Sequence, residues 1–208
     1  ISKFIFVEVK EKVDEETGKV KRSENLIFPR YHQLDVIRKI LADVRENGTA
    51  QNYLIQHSAG SGKTNSIAWL AHRLTSLHDA NNKIFDNVVI VTDRVVVDRQ
   101  LQKAIMGMEH KAGLIRVMDD KCVSADLAIA LNGNTKIIAT TIQKFPYIVD
   151  SVANLKNKRF AVIIDEAHSS TAGKDMAAIT MTLGSGEDTE ADVEDMISSE
   201  IKRNGKQA

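Results

Sequence analysis

The chain has 208 residues, 43% hydrophobic and 27% charged, which are ordinary values for a globular domain and exclude a mainly disordered chain. The 28 basic and 28 acidic residues cancel, so any nucleic-acid partner has to be held by local rather than overall charge. No apolar run approaches the ~18 residues of a membrane helix, and a single cysteine, Cys122, excludes an internal disulfide. At ~150 residues per domain, the length predicts one domain, or one domain with an appendage. Because the chain starts at Ile1 without Met, we expect a piece of something longer.

Residues 1–28 differ from the rest of the chain. Short apolar runs around Phe6 and Ile27 flank a polar stretch at 10–22, which predicts a hairpin or an interdomain linker that ends at Pro29. Glu8-Val9-Lys10 matches half of a metal-dependent nuclease motif, but a solvated pair on one strand face is the commoner explanation of that spacing.

From residue 29 onward, apolar residues at helical spacing alternate with uninterrupted apolar runs. The uninterrupted runs predict buried strands at 53–55, 88–91, 114–117, 136–140 and 160–164. Strands without polar alternation, separated by helices, predict an α/β fold with a mostly parallel sheet and helices on both faces, a three-layer sandwich. Residues 187–200 carry seven acids and no base, and we expect a solvated acidic helical insertion near 187–203.

The strongest motif is a glycine-rich loop between a predicted strand and a predicted helix. It comprises His57, Ser58, Ala59, Gly60, Ser61, Gly62, Lys63 and Thr64, with His57 where the usual pattern begins with glycine. Backbone N–H groups of such a loop, together with the helix N-terminus, cradle phosphates. The motif predicts ATP binding by residues 58–64, with Lys63 on the β- and γ-phosphates and the Thr64 hydroxyl on Mg²⁺.

A second motif, Asp165-Glu166-Ala167-His168, follows the apolar run at 160–164. An acid at the end of a buried parallel strand lies at the carboxyl edge of the sheet, where ligands bind in such folds. We therefore expect Asp165 to hold Mg²⁺ and Glu166 to polarise the attacking water, with Lys63 completing the catalytic set. The alternative is that these acids only stabilise a helix N-terminus, and the presence of the glycine-rich loop makes it the weaker explanation.

These two motifs together resemble the first motor lobe of superfamily 2 helicases and translocases, including its DEAH box. Four further segments narrow the resemblance to the restriction (R) subunit of type I restriction–modification enzymes, namely FPRYHQL at 28–34, QHSAGSGKT at 56–64, DR at 93–94 with DRQL at 98–101, and TTIQKF at 140–145. The resemblance implies a RecA-like P-loop NTPase fold, with motor lobe 1 at residues 29–208 and a nuclease domain upstream of the hairpin or linker at 1–28.

The resemblance also implies roles for individual residues. Gln33 would read the adenine edge, and His168 would couple the nucleotide site to a later motif. Arg94, Thr140, Thr141 and Gln143 would contact the DNA backbone without reading bases. Without the resemblance, Gln33 would be an exposed helix-start residue, Thr141 a helix cap and Arg94 half of a surface ion pair.

The function implied is ATP-dependent translocation of double-stranded DNA, which feeds endonuclease cleavage by an ATP-dependent type I site-specific deoxyribonuclease. The cofactors are ATP and Mg²⁺, the partners are the methyltransferase and specificity subunits, and the location is the prokaryotic cytoplasm, without a membrane. The arginines of a second lobe are missing, so we expect the isolated chain to be incompetent for turnover. Two alternatives stay open: another superfamily 2 motor that acts on RNA or remodels chromatin, and a nucleotide-binding regulatory module without nucleic acid.

Overall fold

The computed structural model of the chain describes residues 4–14, 18–49, 51–58, 60–80, 82–93, 97, 99–108, 113–119, 121–148, 155, 158–165, 179, 182 and 183. In chain order, its elements are β1 (Phe6–Val13), β2 (Val20–Ile27), α1 (Tyr31–Asn47), α2 (Lys63–Thr75), β3 (His78–Asp79), β4 (Asn82–Lys83), β5 (Asn87–Thr92), α3 (Arg99–Gly107), β6 (Ile115–Val117), α4 (Ser124–Asn132), β7 (Ile137–Thr141), a 3₁₀ helix (Ile142–Tyr147) and β8 (Phe160–Asp165).

The centre of the fold is a four-stranded parallel sheet in the order β6-β7-β5-β8. Every residue of β5 is buried, as expected of a strand that is covered on both faces and paired on both edges. Alternate residues of β5 belong to two different cores. Val88 and Ile90 lie in the core that includes residues of α1, α2 and α3, whereas Val89 and Val91 lie in the core that includes residues of α4 and the 3₁₀ helix. The predicted α/β fold with helices on both faces is therefore confirmed.

The segment before the sheet is a hairpin. β1 and β2 pair antiparallel from Phe6 opposite Ile27 to Val13 opposite Val20, and β2 is exposed along its length except at Ile27. Phe4, Phe6 and Ile27 anchor its base in the core that contains α2. There the Phe6 ring meets Trp69 edge-to-face, with centroids 6.0 Å apart, and the Arg73 guanidinium lies 5.6 Å from the centre of the Phe4 ring.

One predicted strand is wrong. Residues 53–55 are irregular rather than part of the sheet, and Leu54 is 90% exposed. The run has only three apolar residues between polar neighbours, and the hydroxyl of Tyr53 donates to Asp43 Oδ2 on α1 at 2.6 Å. That bond ties the segment to the helix, while the short run buries too little apolar surface to add a strand.

Candidate functional site

The carboxyl ends of the central strands and the start of α2 meet at one edge of the sheet. Thr92, the last residue of β5, pairs with Thr141 of β7 on one side and with Asp165 of β8 on the other. Across from them, α2 begins at Lys63, and its Nζ lies 3.4 Å from Asp165 Oδ1. The structure thus brings the lysine of the first motif to the acid of the second, although about a hundred residues separate them in sequence.

The glycine-rich loop is shaped by two residues in the left-handed region. Gly60 has φ +73° and Gly62 has φ +86°, conformations that cost side-chain-bearing residues about 1–2 kcal/mol each. Within the loop, the Ser61 N–H donates to the carbonyl oxygen of Ser58 at 3.2 Å. Gly62 forms the N-cap of α2 and its carbonyl accepts from the backbone N–H groups of Asn65 and Ser66. The glycines therefore curl the chain directly into the helix N-terminus, where the peptide dipoles favour an anion.

Gln33 is buried, only 3% exposed, and contacts this loop. Its Oε1 accepts from the backbone N–H of Arg30 at 2.8 Å, which caps α1, and its Nε2 donates to the carbonyl oxygen of Gly62, also at 2.8 Å. The alternative of an exposed helix-start glutamine is wrong. Because both ends of the amide are engaged inside the protein, adenine reading by Gln33 requires one of these bonds to be exchanged, and that role stays a prediction.

Two histidines also contact the loop. Nε2 of His32 lies 3.2 Å from the carbonyl oxygen of Ser61, and Nδ1 of His57 lies 3.0 Å from the Ser61 Oγ. The two rings meet edge-to-face with centroids 5.6 Å apart. Burial, together with the nearby His32 and Lys63, lowers the pKa of His57 from its ordinary value of 6.5, so the ring is uncharged at neutral pH.

A cavity of about 380 Å³ opens beside the loop. Its lining combines the apolar side chains of Val36, Leu54 and Ile55 with polar residues, chiefly His32, His57 and Ser61. The exposed apolar run that forms no strand therefore contributes to a concave surface next to the phosphate loop.

The residues assigned to DNA contact fall into two groups. Thr140 and Thr141 are buried at 0% and 2% exposure, so neither hydroxyl is available to a DNA phosphate in this arrangement. Gln143 is exposed, and its Nε2 donates at 3.0 Å to the carbonyl oxygen of Asp93, the residue before Arg94 in the sequence. Of these residues, the structure places Gln143 alone at the surface, since Arg94 lies outside the described part of the chain.

Several other assigned residues also lie outside the described residues. They are Ala59 of the loop, Glu166 and His168 of the second motif, and the acidic stretch near 187–203. Ser58, Gly60, Ser61, Gly62, Lys63 and Thr64 are all described and lie together at the start of α2.

The chemistry of this edge suits a divalent cation and a polyphosphate. Asp165 Oδ1 is buried and receives no hydrogen bond from any described residue, which is costly for a carboxylate unless a cation satisfies it. Lys63 supplies one such cation at 3.4 Å, and Thr64, next in sequence at the same helix start, offers a hydroxyl. Asp165 and Thr64 could hold Mg²⁺, and Lys63 and the helix N-terminus could bind phosphate groups.

Sequence reasoning missed the histidine pair. In the sequence, His57 stands only as a departure from the glycine of the usual loop, and no role is predicted for His32. The sequence offered one signal for this pair, which is the position of each histidine: His57 is the first residue of the loop, and His32 is adjacent to Gln33. Their contact joins residues 25 positions apart and follows from the packing of α1 against the loop.

A family model described as SWI2/SNF2 ATPase matches residues 32–188, about three quarters of the chain. That interval contains the glycine-rich loop, both histidines and the Asp165-Glu166-Ala167-His168 motif. A search of curated proteins finds no match. Among the residues that the structure describes, no helix is long and apolar enough to cross a membrane.

Proposed function

The chain belongs to the SWI2/SNF2 ATPase family, and we propose that it is the ATP-binding first motor lobe of the restriction subunit of a type I restriction–modification enzyme. In this role ATP hydrolysis drives translocation along double-stranded DNA, which feeds cleavage by a nuclease domain of the same enzyme. The observation that carries the motor assignment is the 3.4 Å approach of Lys63 Nζ to Asp165 Oδ1 at the carboxyl edge of the sheet. The segments at 28–34 and 140–145 support the narrower restriction assignment by their resemblance.

In the proposed site, the nucleotide phosphates lie against the N-terminus of α2. Backbone N–H groups of residues 58–64 donate to phosphate oxygens, and the Lys63 ammonium neutralises the β- and γ-phosphates. For this, the ion pair between Lys63 and Asp165 has to weaken while Lys63 forms new contacts with the phosphates. Side-chain exposures of 39% for Lys63 and 15% for Asp165 mean that the lysine is the partner with room to move.

Thr64 and Asp165 are the proposed ligands of Mg²⁺, which when bound neutralises charge on the transferring phosphoryl group. Glu166, the residue after Asp165, is the proposed group that orients the attacking water. His168 is the proposed coupling residue between the nucleotide site and the rest of the motor. Gln33 stays the candidate for adenine recognition, with its amide released from either Arg30 or Gly62.

DNA is proposed to bind on the loops after β5 and β7, through Arg94 and Gln143. Gln143 follows β7, whose carboxyl end pairs with that of β5 at the edge where Lys63 lies, and Arg94 follows β5 in the sequence. Their chemistry suits backbone phosphates rather than bases, so sequence recognition falls to the specificity subunit and modification to the methyltransferase subunit, both proposed partners.

The test is the nucleic-acid dependence of ATP turnover in the purified full-length protein. The type I assignment predicts turnover that requires linear double-stranded DNA together with the specificity and methyltransferase subunits, and that Asp165→Asn abolishes. Asp35→Asn is the matched control, because Asp35 is an α1 carboxylate that also pairs with a lysine, Lys39, at 2.8 Å.

Three other outcomes are informative. Turnover stimulated by RNA or by nucleosomes without the partner subunits identifies a different superfamily 2 motor. ATP binding with turnover indifferent to every nucleic acid identifies a regulatory module. Turnover that survives Asp165→Asn shows that the proposed metal site is wrong.

A further inference from the structure

The histidine pair connects the start of α1 with the glycine-rich loop. His32 lies in the first turn of α1, and His57 lies at the start of the glycine-rich loop. Their edge-to-face contact at 5.6 Å brings both rings onto Ser61, one onto its backbone carbonyl and the other onto its hydroxyl. One residue of the loop is thus held from two directions.

The direction of one of these bonds is fixed by chemistry. A carbonyl oxygen can only accept, so Nε2 of His32 carries a hydrogen and donates to Ser61 at 3.2 Å. At Ser61 Oγ the hydroxyl can donate to or accept from Nδ1 of an uncharged His57 at 3.0 Å, and either arrangement restrains the serine side chain.

Holding the carbonyl oxygens also orients the N–H groups of the loop. In a trans peptide, the C=O and the following N–H point in opposite directions. Donation from His32 to the Ser61 carbonyl therefore turns the Gly62 N–H away from α1. Donation from Gln33 to the Gly62 carbonyl, at 2.8 Å, does the same for the Lys63 N–H. Two consecutive donors of the loop are set by two consecutive residues of α1.

We propose that His32 and His57 are positioning residues of the nucleotide site, which hold Ser61 so that the N–H groups of the loop are preset to receive phosphate oxygens. This inference rests on the proposed function, because it takes the ligand to be a nucleoside triphosphate. Neither ring touches the phosphates in this scheme. Because they order the loop before ATP binds, they reduce the conformational entropy that is lost on binding.

The experiment measures the affinity of the purified full chain for ATP·Mg²⁺ by titration calorimetry at pH 7.5. His32→Ala and His57→Ala should each weaken binding about three- to tenfold, the worth of one neutral hydrogen bond. His57→Asn, whose amide can take the place of Nδ1, and His32→Gln, whose amide can take the place of Nε2, should recover most of the loss. His78→Ala is the matched control, since the exposed His78 contacts the carbonyl of Ser76 and not the loop.

A double-variant comparison of His57 and Ser61 distinguishes a positioning role from a general effect on the fold. Ser61→Ala should weaken binding as His57→Ala does, and the double variant should be no worse than either single one, because all three remove the same hydrogen bond. Ser61→Ala deletes a single oxygen, so this comparison holds even where His57→Ala lowers the melting temperature.

Failure of this inference and failure of the proposed function give different results. A folded wild-type chain that does not bind ATP·Mg²⁺ overturns the proposed function. Wild-type binding that Lys63→Ala weakens, but that both histidine-to-alanine variants leave unchanged, overturns the positioning role alone. Losses in His57→Asn as large as in His57→Ala, or full additivity with Ser61→Ala, overturn it as well.

Discussion

The side-chain nitrogen of Gln33 donates to the Gly62 carbonyl at 2.8 Å, and it also lies 2.7 Å from where a Cβ on residue 62 would stand. The hydrogen bond and the absence of a side chain at position 62 therefore depend on each other. Gly62 is needed for its left-handed conformation and for the close approach of α1. Gly60 has φ +73°, and among the described residues none but its chain neighbours comes within 4 Å of a Cβ placed there.

Alanine substitutions at these two glycines should have different costs. Gly60→Ala should lower the free energy of unfolding by about 1–2 kcal/mol, from backbone strain alone. Gly62→Ala should cost about 1 kcal/mol more, because it also displaces the Gln33 amide from its hydrogen bond. Urea denaturation of both variants measures the difference. In a Gln33→Ala background the two should become equal, and a difference that persists there would show that Gln33 is not the obstacle.

Lys63→Ala should weaken the binding of ATP·Mg²⁺ by about 10- to 150-fold, because charge-assisted hydrogen bonds are worth roughly 1.5–3 kcal/mol. Titration calorimetry of the full chain measures this. Lys39→Ala, which removes a 76% exposed lysine that also pairs with a carboxylate, should leave the affinity unchanged. Equal affinity in Lys63→Ala and wild type would remove Lys63 from the nucleotide site.

The 208-residue chain alone should bind ATP but release phosphate at near-background rates, with or without duplex DNA. The site at the carboxyl edge supplies the phosphate loop and the proposed metal ligands, but the arginine that stabilises the transition state is expected from a second lobe and is typically worth ~10³–10⁵ in rate. Steady-state phosphate release checks this, with Glu166→Gln as the comparison. DNA-stimulated release that Glu166→Gln abolishes would mean that these residues already form a complete catalytic set.

DNA binding should lose part of its salt dependence in Arg94→Ala. Each phosphate neutralised by a basic side chain contributes about one unit to the slope of log affinity against log salt, so this variant should lower the slope by about one and leave sequence preference unchanged. Gln143→Ala is the matched control: it removes a neutral donor and should weaken binding without changing the slope. Fluorescence anisotropy with a labelled duplex at several salt concentrations measures both, and an unchanged slope in Arg94→Ala would place the phosphate track elsewhere.

Lys83 lies near the amino end of β5, where its Nζ donates to the carbonyl oxygen of Asp86. We expect it to make the free energy of unfolding depend on pH. Burial and then the nearby Lys136 lower the pKa of Lys83 from 10.5 to about 8. Between those values the unfolded chain holds the extra proton, so the stability that Lys83 contributes is fully present above 10.5 and is lost as pH falls through about 8. Relative to Lys83→Met, the wild type should therefore gain stability from pH 8 to pH 10 in urea denaturation. Lys39→Met provides the contrast, because Asp35 raises the pKa of Lys39. Parallel profiles of wild type and Lys83→Met would contradict the lowered pKa.

Much of the fold could be predicted from local sequence patterns. β5, β7 and β8 were predictable because strands buried on both faces need uninterrupted apolar residues, and α1 because Ile37, Leu41 and Val44 recur on one side of a helix. Lys63 and Asp165 could be placed at one edge because the carboxyl ends of parallel strands meet there.

The misplaced features depend on contacts between distant residues. Residues 53–55 have strand-like composition, yet the bond from Tyr53 to Asp43 holds them beside α1. Thr140 and Thr141 have the chemistry of phosphate ligands, but their burial is set by helices that pack over β7. The contacts of His32 and His57 with Ser61 likewise depend on the packing of α1 against the loop.

Helix α2 connects two parts of the molecule that have been described separately. Its first residue, Lys63, belongs to the proposed nucleotide site, whereas Trp69 and Arg73, further along, contact Phe6 and Phe4 respectively at the base of the hairpin. Ten residues of α-helix span ~15 Å as a stiff rod. A tilt of the start of α2 would therefore move its far end against the hairpin, and we expect the intrinsic fluorescence of Trp69, the one tryptophan in the chain, to report that movement.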